Sequence, residues 1–207
     1  VVVGRAIPSW TVQHHAQVGS TNTVALDAAR CGAAEGLVVV ADHQTAGRGR
    51  LGRTWEAPPG SALLASVLVR PGPALAIDRA YLLTAGLGLA AADACGDLVG
   101  VAPGLKWPND LVCPAGGAGA PRKLAGILAE SLLDGATLDA VVVGLGLNVR
   151  WGGAAPPEVA DIGCALDQLS SRAVEMTALL DAVLAGFGRR YAALLDAGGG
   201  VEPDVAA

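Results

Sequence analysis

The string GRGRLGRTW, Gly47 to Trp55, sets Arg48, Arg50 and Arg53 among Gly47, Gly49 and Gly52. Glycine lets a backbone take positive φ and turn successive N–H groups toward one anion, and arginine adds bidentate donors for phosphate oxygens. Three cations this close repel one another until an anion arrives, and ordering such a loop costs about 1–2 kcal/mol per residue. The expectation is a mobile lid over a nucleotide-bearing intermediate, with a solvated basic loop as the plainer alternative. The string also contains G-x-G-x-x-G. A dinucleotide fold needs a helix to start there and an acidic residue about 20 positions on, and RTWEAPPG instead carries two prolines toward a strand. That reading fails.

Lysine and asparagine are scarce in a chain that uses arginine freely. Lys106 and Lys123 stand against 12 arginines, and the asparagines are Asn22, Asn109 and Asn148. A compact ammonium and a planar guanidinium are not interchangeable at a tight site. The survivors therefore mark positions where no substitute works, unless they were kept by chance. KWPND, Lys106 to Asp110, combines a cation, an aromatic, a rigid turn, an amide and a carboxylate. Asp110 could hold Mg²⁺, or could serve only an Asx turn. KLAGILAE projects Lys123 from a strand end into a cleft, or into solvent as a snorkelling side chain. VVVGLGLNV is a buried strand whose glycines admit a flat ligand, and the Asn148 amide can pair with the edge of adenine. STN, Ser20 to Asn22, is also a good helix N-cap, and Gln44 just before the arginine loop is equally ambiguous.

The elements that must position these groups follow from pattern. Strands are expected over Trp10–Val18, Gly36–Ala41, Leu63–Val69, Leu105–Trp107 and Leu111–Cys113, and over Leu124–Leu133 and Leu138–Leu145 around an Asp134-Gly135 turn. Helices are expected from Ser20-Thr21 to Arg30, over Ile77–Cys95 and over Met176–Leu195. A glycine- and alanine-rich loop covers Pro114 to Pro121. This order implies an α+β fold, a mixed β-sheet backed by helices on one face. With 52% hydrophobic and 16% charged residues among 207, the chain is not disordered. A net charge of −5 gives no general attraction for nucleic acid. No run reaches the roughly 18–20 apolar residues of a membrane span, and no basic stretch precedes a signal-like core. A cytoplasmic setting is therefore expected. Cys31, Cys95, Cys113 and Cys164 lack metal-ligand spacing and read as buried free thiols.

Together STN, HQTAGRGRLGRTW, KWPNDL, KLAGILAE and VGLGLNV resemble the biotin protein ligases, in that family's order and at its spacings, from about Val12 to Val149. The resemblance implies the catalytic fold shared with class II aminoacyl-tRNA synthetases, often dimeric. It also implies a two-step reaction. Biotin's carboxylate attacks the α-phosphate of ATP to give biotinyl-5′-AMP and pyrophosphate, and a lysine of a biotin carboxyl carrier domain then takes the biotinyl group. The first step joins two anions, so charge repulsion and positioning are the barrier and no general base is needed.

Carried over by motif, Ser20, Thr21, Asn22 and Gln44 would bind biotin's ureido head. Gly47, Arg48, Gly49 and Arg50 would close over biotin and phosphate. Trp55 would pack against the ordered loop or adenine. Lys106, Asn109 and Asp110 would address the nucleotide, with Mg²⁺ at Asp110. Lys123 would contact the mixed anhydride and the α-phosphate, and Asn148 would read adenine. Residues 1–195 are expected to form the catalytic domain and 196–207 a tail. Many relatives add an N-terminal helix-turn-helix domain and a C-terminal SH3-like barrel, and this chain is expected to carry neither and to bind neither DNA nor membrane. A lipoate or octanoate ligase on the same fold is one alternative, against which the arginine loop argues. A non-catalytic biotin- or adenylate-binding module is the other.

Overall fold

The segment ALLASVLV is apolar at nearly every position, and an unalternating run of this kind suits a strand covered on both faces. In the computed structural model, which describes residues 7–114, 119–152, 157 and 159–198, this segment is β3 (Ala62–Val69), buried along its whole length. It lies inside a seven-stranded sheet. The other strands are β1 (Thr11–Val18), β2 (Leu37–Gln44), β4 (Gly104–Lys106), β5 (Asp110–Cys113), β6 (Arg122–Asp134) and β7 (Thr137–Asn148), in the spatial order β1-β2-β3-β7-β6-β5-β4. β1 and β2 run parallel and every other neighbouring pair is antiparallel. The long β6–β7 hairpin turns just after Asp134, where Gly135 takes φ +57°.

The helices are α1 (Thr21–Arg30), α2 (Tyr81–Val99), the single turn α3 (Leu166–Leu169) and α4 (Met176–Asp196). The mixed sheet backed by helices is as expected, but not the single covered face. Val67, Val69, Val141, Val143 and Leu145 join α2 and α4 in the main core. The alternating neighbours Leu68, Ala140 and Val142, with Val39, pack instead against Ala25, Leu26 and Ala29 of α1. Since successive side chains point to opposite faces, α1 covers the face opposite α2 and α4. The tail from residue 199, residues 115–118 of the expected Pro114–Pro121 loop and residues 1–6 lie outside the described residues.

α2 corrects a second expectation. With the short turn before it, Ile77–Val99 is long and apolar enough to cross a membrane, although 56% of an apolar 18-residue part of it is buried within the protein. Its small residues serve a close helix crossing. A Cβ on Gly186 of α4 would come within 3.1 Å of Ala90 Cβ. Beside that crossing, Phe187 stacks between Trp10 and Tyr191 at centroid distances of 6.2 and 6.1 Å.

Three of the four cysteines are buried, as expected, and Cys31 is exposed. Burial pushes the Cys95 thiol up to about 12. Cys113 and Cys164 share a hydrogen bond that raises the first and lowers the second. Because a thiol reacts as its exposed thiolate, titration of the native protein with a disulfide reagent should yield one rapidly modified cysteine, Cys31. The other three should react only on unfolding, and fast modification of Cys113 or Cys164 would contradict this packing.

Candidate active site

The site is built on strands that lack side chains where one would be in the way. β7 turns Val143, Leu145 and Leu147 into the main core, so Gly144 and Gly146 face the α1 side. Gly126 of β6 pairs with Gly146. A Cβ on Gly144 would come within 2.1 Å of Asn22 Oδ1, and one on Gly146 within 2.5 Å of the Trp55 indole. These glycines form the floor of a cleft of about 310 Å³, at the lower end of the usual range for small-molecule sites.

At one end the cleft meets the start of α1. Ser20 occupies the N-cap position but makes no side-chain capping bond. It is buried and lines the cleft, so the capping reading fails. Thr21 directs both its backbone N–H and its hydroxyl at Gln44 Oε1, at 2.7 and 3.0 Å. That fixes the amide and leaves Gln44 Nε2, lying against Gly47, to donate into the cleft. Asn22 is a brace more than a ligand group. Its Oδ1 accepts from Ser66 at 2.5 Å, and its Nδ2 donates to the Leu128 carbonyl at 3.1 Å and to Glu130 Oε2 at 2.8 Å. Both amide protons are thus used within the protein.

The arginine loop, expected to be a mobile lid, is folded here into a small hairpin. Trp55 N–H donates to the Gly47 carbonyl at 2.9 Å and Gly49 N–H to that of Arg53 at 2.7 Å, around an Arg48–Thr54 bridge. Leu51 sits at the tip, 89% exposed, with φ +58°. Gly47 has no alternative here, because a Cβ would meet the Trp55 carbonyl at 2.3 Å. Two of the three arginines have partners inside the protein. Arg48 lies 2.7 Å from Glu130 Oε2, and Arg50 reaches Asn109 Oδ1 at 3.5 Å.

The other end holds the two lysines. Asn109 and Ile127 exchange hydrogen bonds that tie the KWPND turn to β6. The turn carries a cis Trp107–Pro108 peptide, and Trp107 stands 70% exposed against the edge of Tyr81. Lys123 Nζ pairs with Asp110 Oδ1 at 2.7 Å and lies 5.5 Å from the Trp55 ring centroid. Trp55 lies across the glycine floor, against Gly126 and Gly146, and its Nε1 is buried without a hydrogen-bond partner among the described residues.

Ser20, Thr21, Asn22, Gln44, Arg48, Gly49, Arg50, Trp55, Lys106, Asn109, Asp110 and Lys123 all line this one cleft. Gly47 supports it from behind Trp55 and Gln44. Asn148, expected at the edge of adenine, commits one amide proton to the protein itself. It is 6% exposed, donates to the Cys164 carbonyl at 3.0 Å and lies outside the lining. Ser66 and Glu130 were not foreseen. The available signal was a lone hydroxyl, and a lone carboxylate, inside otherwise apolar strands. Among the described lining residues, five cations (Arg48, Arg50, Arg53, Lys106, Lys123) face the single carboxylate of Asp110. A chain of net charge −5 therefore presents a cleft suited to anions.

Residues 15–148 match the biotin/lipoate A/B protein ligase family. The chain is 30% identical over 179 residues to the bifunctional ligase/repressor BirA of Bacillus subtilis, covering 86% of this chain and 53% of that one. It is 43% identical over 148 residues to the biotin–[acetyl-CoA-carboxylase] ligase of Mycobacterium tuberculosis, covering 70% and 50%. It thus spans about half the length of these relatives. Among solved structures, the biotin protein ligase of Aquifex aeolicus in complex with biotin and ATP superposes with a TM-score of 0.72 at 26% identity, over 89% of this chain and 72% of that one.

The glycine floor can be tested by stability. Gly144→Ala should cost about 1–3 kcal/mol, because Asn22 is held by three partners and cannot yield. Gly86→Ala in α2, where the new Cβ meets nothing closer than 3.8 Å, should be neutral or gain up to about 1 kcal/mol in helix propensity. Urea midpoints decide, and equal effects at the two positions would contradict the packing.

Proposed function

Because the chain belongs to the biotin/lipoate A/B protein ligase family, we propose that it converts biotin and ATP to biotinyl-5′-AMP and passes the biotinyl group to a lysine of a biotin carboxyl carrier domain. Residues 1–195 are the catalytic domain in this reading. The observation that carries it is the cleft itself, where five cations and a fixed amide surround a floor without side chains. Joining a carboxylate to a triphosphate needs concentrated positive charge and orientation rather than a base. The names of the relatives and the ligands of the superposed ligase favour biotin as the acid.

Ser20 and Gln44 Nε2 bind the ureido head, and Thr21 and Asn22 hold the shape of that end. Arg48 and Arg50 counter the charge of the two anions as they meet. Lys106, Asn109 and Trp55 bound the space for the nucleotide. Lys123, held by Asp110, stands beside the bridging oxygen. It stabilises charge on the α-phosphate as the carboxylate oxygen bonds to phosphorus and pyrophosphate leaves. It does so again when the carrier amine bonds to the acyl carbon and AMP departs.

Mg²⁺ fits this donor set only as a guest shared with the triphosphate. Asp110 is the one carboxylate among the described lining residues, and no cluster of three acidic, histidine or cysteine groups exists among the described residues. Bound there, the ion would supply charge neutralisation on the phosphates. The reading further assigns the chain to the cytoplasm and gives it a homodimeric state.

Pyrophosphate release measured with biotin or lipoate, with and without apo carrier domain, tests both half-reactions. Biotin alone should support release, and carrier labelling should follow. Release with lipoate but not biotin would sink the biotin reading. Lys123→Ala should lower adenylation about a hundredfold or more while calorimetry still detects biotin binding. Arg50→Ala should let biotinyl-AMP escape into solution, seen as labelling of unrelated lysines.

A further inference from the structure

Glu130 is an acidic residue in the interior of β6, where the paired positions before it, Leu124 to Ala129, are apolar or glycine. Burying most of a carboxylate there is costly unless donors meet it. One oxygen meets two of them, from segments far apart in the chain. Oε2 accepts from Asn22 Nδ2 at 2.8 Å and from Arg48 Nη2 at 2.7 Å. The Glu130 side chain is 26% exposed, against 42% for Arg48, so the pair is partly shielded from solvent. Glu130 is not among the residues lining the main cleft. It lines a second cavity that also borders on Arg50, Trp107 and Leu128. It therefore stands behind both groups and touches the cleft only through them.

We propose that Glu130 is the positioning residue of this site, fixing the Arg48 guanidinium and the Asn22 amide relative to each other so that one carboxylate aligns the loop with the start of α1. Its pairing with Arg48 also accounts for a folded arginine loop, because it cancels one of three crowded charges. Arg48 keeps further N–H donors for an incoming carboxylate or phosphate. Its place is set beforehand, so orienting it costs little when the ligand arrives.

The inference rests on the proposed adenylation for its kinetic test but not for its structural one. Three proteins are compared, wild type, Glu130→Ala and Glu130→Gln, all with thermal midpoints measured. Limited trypsin digestion, mapped by mass spectrometry, reads cleavage after Arg48, Arg50 and Arg53. Glu130→Ala should speed that cleavage about tenfold at an unchanged midpoint, and Glu130→Gln, which keeps an acceptor oxygen, should largely restore resistance. Glu130→Ala should also lower kcat/KM for pyrophosphate release about tenfold, with rescue by Gln. Combined with Arg48→Ala, its effect should fall well short of multiplying, as for groups that act through one another.

Wild-type cleavage and kinetics in Glu130→Ala, or effects that multiply, would overturn the proposal. If the wild type releases no pyrophosphate with biotin, the functional reading fails, and the cleavage rates still decide the place of Glu130.

Discussion

Like-charge repulsion governs this cleft. At an effective dielectric constant of ~20, two cations 8 Å apart repel by about 2 kcal/mol, and five of them border one small space. The protein tolerates the crowding by giving several of the cations a local counterweight. Arg48 has Glu130, Lys123 has Asp110 and the indole of Trp55, and Arg50 has the amide oxygen of Asn109. Apart from Trp55, these partners sit on or beside β5 and β6. The sheet thus supplies the electrostatic support as well as the scaffold, and the bare floor of Gly126, Gly144 and Gly146 lets the charged groups converge without steric interference from below.

Much of this was readable before any coordinates. The short strings carrying Ser20, Gln44, Arg48, Asp110 and Lys123 each fall on one wall of the cleft, since each pairs a chemical group with the turn or strand end that aims it. The elements also lie close to their expected bounds, because apolar runs and glycine or proline breaks report local geometry directly. What failed was information held between segments. The helices could be counted, but the face each one covers depends on how strands pair. The one available clue was the nearly continuous apolar character of β3 and of the VVVGLGL stretch of β7, which demands cover on both sides.

Asn148 shows the same limit from the other direction. Its Nδ2 donates to the carbonyl of Cys164, 16 positions away, a partner that its own motif does not reveal. Repulsion among three neighbouring cations predicts an arginine loop that orders only when an anion arrives. The anion was there, 82 positions further along the chain, in Glu130. Electrostatic arguments confined to a short window overstate repulsion wherever tertiary structure can bring a counter-charge.

The backbone of Lys123 is gripped from outside the stretch that identifies the family. Its N–H donates to the Ile162 carbonyl at 2.7 Å, and its own carbonyl accepts from Cys164 N–H at 2.9 Å, forming a parallel bridge beside Gly163. The family match ends at residue 148. The matched block is consequently not an excisable module. A minimal fragment cut at the end of that match would keep the Lys123 ammonium yet lose the clasp that orients the strand presenting it, so engineering of reduced versions has to retain the chain at least through Cys164.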